Sequence, residues 1–497
     1  MKNISNIIMQ ETPPKMTNVG WLKPEKNKVV LKFFINGKWA TVDTGDSSEV
    51  PSEDPTLDIN VVSYGIQWEI GTNNCTRVGN LELHKTLPIQ SKLRGCVAKG
   101  SDIQYYLKDS DWNYKEDGSA SRLDGYDGNV CVDTQAPIYF KSFINETTKE
   151  MRISEVQVDE TWHRLDRRLI FAYAPALLRE VPSDMGYLST LPVNSWVSIV
   201  NTSTYCRGGT NDSNYDQYLE TDVYKTMLGK PSTKITRANA RTYARQNNQT
   251  LLDYETYKII FYWLPIIEYN TFNLNQPFNS ELTSEGYHQG GIAPWFYLEN
   301  MNSYNNYTQC PKNGDTNEFG NNTGCKELSN DLGTFYSFRY RGLENIKNWL
   351  SWSLDGILCK GSEETTTIQN NECPAFVEIY TSNDISQFDD VLNDSYKLTG
   401  KTANGIENDW INEITLGDSG EMIPESGTTV TDLTVPEGKG DGYSSYAENS
   451  IGLFLALLGG YPGFGAGAGV GCFDADYDSV VGYADSTLGF RVFQNLS

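Results

Sequence analysis

Four aspartates near the end of the chain have the spacing of a calcium-binding loop. Asp474, Asp476, Asp478 and Asp485 stand at the first, third, fifth and twelfth positions of such a loop. A calcium loop of the helix–loop–helix type requires glycine at its sixth position and a bidentate glutamate at its twelfth. This chain has Ser479 and the shorter Asp485 at those positions, and the flanking residues indicate strands rather than helices. We therefore expect no bound metal ion and no other cofactor.

The same segment has the pattern of a contact surface. Phe473, Ala475 and Tyr477 alternate with the aspartates, and a period of two is typical of a strand or of its edge. Carboxylate oxygens accept hydrogen bonds from sugar hydroxyls, and a tyrosine ring can stack on the apolar face of a sugar. We interpret the segment as a surface that contacts a ligand without metal or catalysis.

The charge of the chain argues against binding to nucleic acid or to anionic membranes. Its 64 acidic residues outnumber its 40 lysines and arginines, for a net charge of −24, whereas phosphate binding needs a basic surface. The nearest candidate for a membrane helix, residues 451–472, carries no charge but contains Pro462 and many glycines. Such a stretch predicts buried strands and tight turns, so we expect no membrane insertion.

Residues that commonly carry catalysis are sparse. The three histidines, His84, His163 and His288, lie far apart in the sequence, and no phosphate-binding glycine loop or nucleophile elbow is found. The nine cysteines include no C-x-x-C pair, which favours reduced, buried thiols. If disulfides form, the pairs Cys310–Cys325 and Cys359–Cys373 are the local alternatives. We expect no enzyme activity.

The sequence divides into a small N-terminal module and one large domain. In residues 1–42, two strand-like stretches are joined by a turn at Asn36-Gly37, the strongest short signal for a β-hairpin. Residues 43–58 are acidic and rich in proline and serine, which is typical of a linker. Because two strands cannot bury a core alone, we expect this module to anchor or oligomerise the chain. The large domain is predicted over residues 59–497.

Two helices and many short strands are predicted in the large domain. Apolar residues at helical spacing predict helices over residues 237–246 and 253–268, and Pro265 should kink or shorten the second one. The aromatic triplet at 261–263 and the W-x-x-W at 349–352 are predicted to lie in the core. The pattern indicates a loop-rich α+β fold.

Several segments resemble a known group of proteins. Residues 255–292 and residues 338–358, with their RGLEN and W-x-x-W, resemble stretches of fibre and appendage proteins from crAss-like tailed phages of gut Bacteroidetes. Residues 64–96 and the C-terminal block ending in LGFRVF (488–493) fit the same pattern. The later part resembles the C-type-lectin-like fold of formylglycine-generating enzymes and phage receptor-binding proteins, in which a G-x-E-N run and a terminal G-F-R strand are familiar.

The resemblance implies a fold, a location and partners. It implies a C-type-lectin-like domain preceded by a small β module, which itself resembles the short anchoring modules that begin phage fibres. The protein would be an exposed head or tail fibre of the virion and a homo-oligomer, either a homotrimer or a homodimer. Its N-terminus would attach to capsid or tail proteins, and its C-terminal loops would bind a glycan of the bacterial surface.

The resemblance also implies the position of the binding residues. In the family, ligand residues lie on loops between the last strands of the lectin-like domain, which here are residues 442–449, 459–465 and 474–479, within the region 442–485. The expected ligand-binding residues are Tyr443, Tyr446, Asn449, Tyr461, Phe464, Asp474, Asp476, Tyr477 and Asp478.

The chain departs from the family patterns in two respects. Calcium-dependent lectins use EPN, QPD or WND motifs, whereas this chain has QPF (276–278) and NDW (408–410), so calcium-mediated sugar binding is not expected. The cysteine pair of the formylglycine-generating enzymes is not matched either. Two other functions stay open: a purely structural capsid decoration or spacer, and a polysaccharide depolymerase.

Overall fold

The chain consists of two compact units, Met1–Thr56 and Leu57–Ser497. Their boundary lies inside the predicted linker of residues 43–58. Strands make up 39% of the structure and helices 15%, which fits an α+β or mostly-β fold. The computed structural model describes residues 7–9, 20–25, 28–35, 38–42, 57–180, 192–200, 204–206, 208–211, 227–298, 310–330, 333–368, 371–403, 409–429, 443–446, 452–475 and 481–496.

The first unit contains a four-stranded sheet in the order β1-β2-β3-β4. Its strands are β1 (Ile7–Met9), β2 (Gly20–Glu25), β3 (Lys28–Ile35) and β4 (Lys38–Val42). The predicted hairpin is confirmed, because Ile35 pairs with Lys38 across the Asn36-Gly37 dipeptide. The prediction of two strands is wrong. A parallel pairing of β1 with β2 enlarges the sheet, and no local turn motif signals such a pairing.

The first part of the second unit forms a five-stranded sheet, in the order β13-β11-β12-β5-β6, and most of a seven-stranded sheet, in the order β19-β36-β14-β10-β7-β8-β9, to which the last strand of the unit, β36 (Val492–Asn495), also belongs. The strands up to β19 are β5 (Ser63–Glu69), β6 (Cys75–Gly79), β7 (Arg94–Lys99), β8 (Asp102–Lys108), β9 (Asp111–Lys115), β10 (Asn129–Asp133), β11 (Ile138–Ile144), β12 (Thr148–Ser154), β13 (His163–Leu165), β14 (Arg168–Phe171), β15 (Ala176–Arg179), β16 (Val193–Val197), β17 (Gly209–Thr210), β18 (Ser232–Thr233) and β19 (Thr250–Leu251).

The later part adds a second seven-stranded sheet, in the order β30-β29-β31-β34-β33-β23-β35, and smaller sheets beside it. Its strands are β20 (Gly324–Asn330), β21 (Gly333–Tyr340), β22 (Leu343–Glu344), β23 (Ser351–Ser353), β24 (Ile357–Gly361), β25 (Thr365–Ile368), β26 (Asn371–Pro374), β27 (Phe376–Thr381), β28 (Lys397–Ala403), β29 (Asp409–Leu416), β30 (Met422–Thr429), β31 (Tyr443–Tyr446), β32 (Leu453–Phe454), β33 (Leu457–Leu458), β34 (Phe473–Ala475), β35 (Leu488–Gly489) and β36 (Val492–Asn495). The short strands within residues 452–472 confirm the prediction of strands and turns there.

Both predicted helices are present. The helices are α1 (Ile59–Val62), α2 (Leu81–Thr86), α3 (Arg237–Arg245), α4 (Tyr254–Thr256) and α5 (Leu264–Tyr269), with a π-helical turn over Tyr257–Trp263 joining the last two. The predicted shortening at Pro265 is wrong. The N–H of Leu264 bonds to the carbonyl of Ile259, and this wider turn accommodates a proline inside the helix. No described helix is long and apolar enough to cross a membrane.

The helix that contains the π-helical turn forms the centre of the core. Trp263 is fully buried, stacks on Trp68 with ring centroids 5.9 Å apart, and donates its indole N–H to the carbonyl of Gly420 at 2.7 Å. Trp349 and Trp352 are buried as well. The predicted core positions at 261–263 and 349–352 are therefore confirmed.

The described cysteines confirm the expectation of reduced thiols. Eight of the described cysteines are in no disulfide bond, and six of them are buried. The alternative pairs Cys310–Cys325 and Cys359–Cys373 are wrong, because Cys310, Cys325 and Cys359 are all outside disulfide bonds. Burial raises the pKa of the Cys325 and Cys206 thiols to about 11, which keeps them protonated and unreactive near neutral pH.

A buried arginine joins the end of the chain to two distant segments. Arg491 is 1% exposed, and its guanidinium donates to the carbonyls of Phe171, Ala172 and Glu344 at 2.6–2.8 Å. The ring of Trp352 lies 5.0 Å from the guanidinium carbon. Burial lowers the pKa of this guanidinium, and the carbonyl contacts offset part of the cost of burying its charge.

We predict that Arg491→Met destabilises the protein strongly. The substitution keeps most of the side-chain volume but removes every donor to the three carbonyls, so the free energy of unfolding should fall by about 3–5 kcal/mol. Denaturant unfolding followed by tryptophan fluorescence measures this change.

The matched control is Arg164→Met, because the Arg164 side chain is 54% exposed and pairs with Asp166 at the surface. Its effect should stay within about 0.5 kcal/mol. Equal stability of the two variants would contradict the assigned role of Arg491.

Candidate functional site

Two of the three segments predicted to bind a ligand contain neighbouring strands of one sheet, and the third directly follows a strand of that sheet. Strand β34 lies between β31, which runs parallel to it, and β33, which runs antiparallel. Asp474 is opposite Ser445 on one side and Leu457 on the other. Residues separated in sequence are therefore brought to one region by strand pairing.

The alternation predicted for this segment is confirmed over the residues that the structure describes. Phe473 and Ala475 are buried, whereas Asp474 between them is half-buried. Successive side chains of a strand point to opposite faces, so Asp474 lies on the face opposite Phe473 and Ala475, where its Oδ1 is nevertheless buried.

An aromatic pair lies on the turn that follows β33. The rings of Tyr461 and Phe464 have centroids 4.6 Å apart and are tilted by 49°, and both side chains are half-buried. A short 3-10 helix, Pro462–Gly467, holds them. A Cβ atom at Gly463 would lie 2.4 Å from the Tyr461 ring, so the close approach requires glycine there.

Two carboxylates help to raise the pKa of the Tyr461 phenol. Burial raises the pKa of Tyr461 to about 12, and the negative charges of Asp474 and Asp485 add to the effect. The phenol therefore stays protonated at neutral pH and can donate a hydrogen bond. Asp485 accepts hydrogen bonds from the N–H and hydroxyl of Thr487, each at 2.8 Å.

These residues form what we call the C-terminal surface, defined by Tyr461, Phe464, Asp474 and Asp485. It combines two half-exposed aromatic rings, one phenolic donor and carboxylate acceptors. Those are the groups that bind the apolar face and the hydroxyls of a sugar. The described part of the chain holds no group of three His, Cys, Asp or Glu residues suited to a metal ion.

Only some of the predicted binding residues lie in the part of the chain that the structure describes. Tyr461, Phe464 and Asp474 are described in full, and Tyr443 and Tyr446 are the first and last residues of β31. The remaining predicted residues lie outside the described residues: Asn449, Asp476, Tyr477 and Asp478. Asp485, which the calcium pattern included but the list of ligand residues did not, belongs to the C-terminal surface.

Sequence reasoning missed a cavity of about 220 Å³ on another part of the second unit. Arg241, Arg245 and Gln249 line it from the end of α3 and the turn that follows. The signal was present in the sequence, because arginines at positions 237, 241 and 245 recur at the four-residue spacing of one helix face.

Comparison with known proteins adds no relative. No family model, no curated protein and no solved structure matches the chain. Function therefore has to be argued from the residues and their geometry.

We predict that Asp474→Asn lowers the pKa of Tyr461. Removing a nearby negative charge favours the phenolate, while the burial that raises the pKa stays in place. A pH titration of tyrosine ring carbons by NMR, with Tyr461→Phe to assign the signal, measures the shift.

Asp117→Asn is the control, because Asp117 lies in an exposed turn and bonds to Ser119 rather than to a tyrosine. It should leave the Tyr461 titration unchanged. If Asp474→Asn also leaves it unchanged, the assigned electrostatic contact is wrong.

Proposed function

We infer that the protein is a fibre of a phage virion that binds a glycan of the bacterial surface through its C-terminal surface. The inference rests on the resemblance to fibre proteins of crAss-like phages and on one structural observation. That observation is the pairing of β31, β33 and β34, which brings segments of two predicted ligand loops, 442–449 and 474–479, side by side, while the third loop, 459–465, directly follows β33.

The chemistry of the C-terminal surface supports a glycan ligand. The Tyr461–Phe464 pair offers apolar area for the face of a sugar ring. A protonated phenol beside Asp474 and Asp485 supplies one donor and several acceptors for hydroxyl groups. Glycan binding at such a surface needs neither metal nor a catalytic residue.

We also propose the C-type-lectin-like fold for the second unit. Two landmarks of the resemblance, the RGLEN segment and the terminal G-F-R strand, are in direct contact. Arg491 of the latter donates to the carbonyl of Glu344 in the former at 2.6 Å. Strand β36 then pairs with β14 and β19, so the last residues of the chain belong to the same sheet as much earlier ones.

The four-stranded N-terminal unit is proposed to anchor the fibre to capsid or tail proteins and to hold copies of the chain together. A single-layer sheet is proposed to bury its hydrophobic face against a further surface, since a sheet face is covered by another packed layer in a stable unit. Several copies in a homotrimer or homodimer would make weak single-site glycan contacts useful, because the effective concentration of the second contact is high.

We predict that the full-length protein binds capsular polysaccharide and cells of a gut Bacteroidetes host, and that the double variant Tyr461→Ala, Phe464→Ala weakens binding about tenfold or more. Each site loses aromatic contact with the glycan, and the loss of affinity grows with the number of sites that bind at the same time. Surface plasmon resonance on immobilised capsule measures the affinity.

Tyr126→Ala serves as the matched control, because Tyr126 is a 68% exposed tyrosine elsewhere on the unit. It should bind like the unchanged protein. Equal binding by the double variant would remove the assigned site, and no binding by the unchanged protein would favour a structural decoration. Release of new reducing ends from the capsule would indicate a depolymerase instead.

A further inference from the structure

The sheet of the first unit has one face that carries a single charged residue, at its corner. Residues opposite one another in neighbouring strands share a face, and successive residues of a strand lie on opposite faces. The pairing of β1 to β4 therefore places twelve residues on the face that contains Leu31 and Phe33 of β3. The one charged residue among them, Lys38, directly follows the Asn36-Gly37 turn. We call this side of the sheet the apolar face.

The apolar face consists mainly of large hydrophobic residues. Eight of its twelve residues are Val, Leu, Ile, Met or Phe, and two of these eight belong to β1. The three antiparallel strands contribute the other six: Leu22, Val29, Leu31, Phe33, Ile35 and Val42.

The opposite face of the same sheet is polar. Four of its ten residues are charged, namely Lys23, Glu25, Lys28 and Lys32. An antiparallel sheet that alternates in this way has a second layer on its apolar side and water on the other. The described residues of the first unit all belong to this one sheet, so they provide no layer that covers the apolar face.

We propose that the apolar face is covered by the apolar face of a second copy of the chain, so that two sheets pack face to face in a homodimer. The dimer rests on the proposed role of the first unit in holding copies together, and it adds the surface and the number of copies. A two-fold interface brings the same patch of each copy against itself. Such a patch has to lack repelling charges, and the corner position of Lys38 satisfies that requirement.

The distribution of charge agrees with this packing. Residues 1–42 contain seven lysines and two glutamates, so two basic units have to approach each other. Stacked sheets lie about 10 Å apart, and Lys23, Lys28 and Lys32 are on the outer faces of the resulting sandwich. The lysines of the two copies are then separated by more than the screening length of about 8 Å at physiological salt. They stay in water and repel one another little.

The area of the apolar face suits a specific dimer. Covering one large apolar side chain removes about 60–120 Å² from water, so eight from each copy amount to about 1,000–2,000 Å². Specific interfaces between proteins bury about 1,200–2,000 Å². Pairing of two sheets edge to edge would leave the apolar face uncovered, so packing face to face is favoured.

Two neighbouring phenylalanines provide a matched test. Phe33 lies on the apolar face opposite Ala40, whereas Phe34 lies on the polar face opposite Trp39. The unchanged full-length protein and Phe34→Glu should be dimers. Phe33→Glu should raise the dissociation constant of the dimer about a hundredfold or more, because it buries a charge at an apolar interface. Size-exclusion chromatography with light scattering measures the mass over a range of concentrations.

The masses decide between the possible arrangements. A monomeric unchanged protein would overturn the dimer, and a trimer would overturn the packing of two layers. Dimers in both variants would show that copies are joined through another surface. Dissociation of both variants would show that the two faces are wrongly assigned.

Hydrogen exchange tests the same interface without a substitution. A sheet that is stable only in the dimer opens more often on dilution, since its stability depends on the concentration of the chain. The amides of residues 20–25 and 28–35 should exchange about tenfold faster after a hundredfold dilution, because the dissociated fraction varies with the inverse square root of concentration. Those of residues 257–263, in the core of the second unit, should not change. Exchange in the sheet that is independent of concentration would show that the same chain covers the apolar face, which would overturn the dimer.

Dimerisation and glycan binding can fail separately. Surface plasmon resonance on immobilised capsule, with the same preparation of the full-length protein, measures the second property. A dimer that does not bind capsule would leave the interface in place and overturn the proposed function. A monomer that binds capsule would overturn the dimer and leave glycan binding in place.

Discussion

Arg491 is the residue on which the arrangement of the second unit depends most. Its guanidinium bonds at once to the end of β14 and to β22, and the next residue begins β36, which lies between β19 and β14 in a seven-stranded sheet. A buried cation without these carbonyls would be too costly to keep. The C-terminal residues therefore return to the sheet that contains β7, β10 and β14.

The return of the C-terminal residues to this sheet helps to explain how the C-terminal surface forms. Residues 453–475 have little regular structure of their own and consist of short strands and one 3-10 turn. Their pairing with β31 and β23 is long-range, and it orders a glycine-rich stretch that has low intrinsic preference for any element. The Tyr461–Phe464 pair and Asp474 become neighbours because β33, which precedes the pair, is bonded to β34, which contains Asp474, although no regular spacing in the sequence relates them.

The predictions from sequence succeeded where a local pattern was enough. The Asn36-Gly37 hairpin, the helix predicted over residues 237–246 and the buried triplet at 261–263 follow from turn chemistry and periodicity. The predictions failed where contacts between residues far apart in the sequence decide the structure. The parallel pairing of β1 with β2 and the passage of the helix through Pro265 have no local signal. The cavity beside α3 had a partial signal in its arginine spacing, but the opposite wall, including Phe388, comes from more than 130 residues later in the chain.

The amino-acid sequence by itself determined the chemical character of the protein: strongly acidic, rich in tyrosine and glycine, with reduced cysteines and a β-rich pattern of short elements. Composition and periodicity depend only on each residue and its near neighbours in the chain, so they are visible directly in the sequence. The tertiary structure alone decided which tyrosine lies near which aspartate and which arginines are held in buried ion pairs. Those outcomes depend on strand pairings and ion pairs between residues far apart in the chain, and such pairings are chosen by the packing of the whole unit.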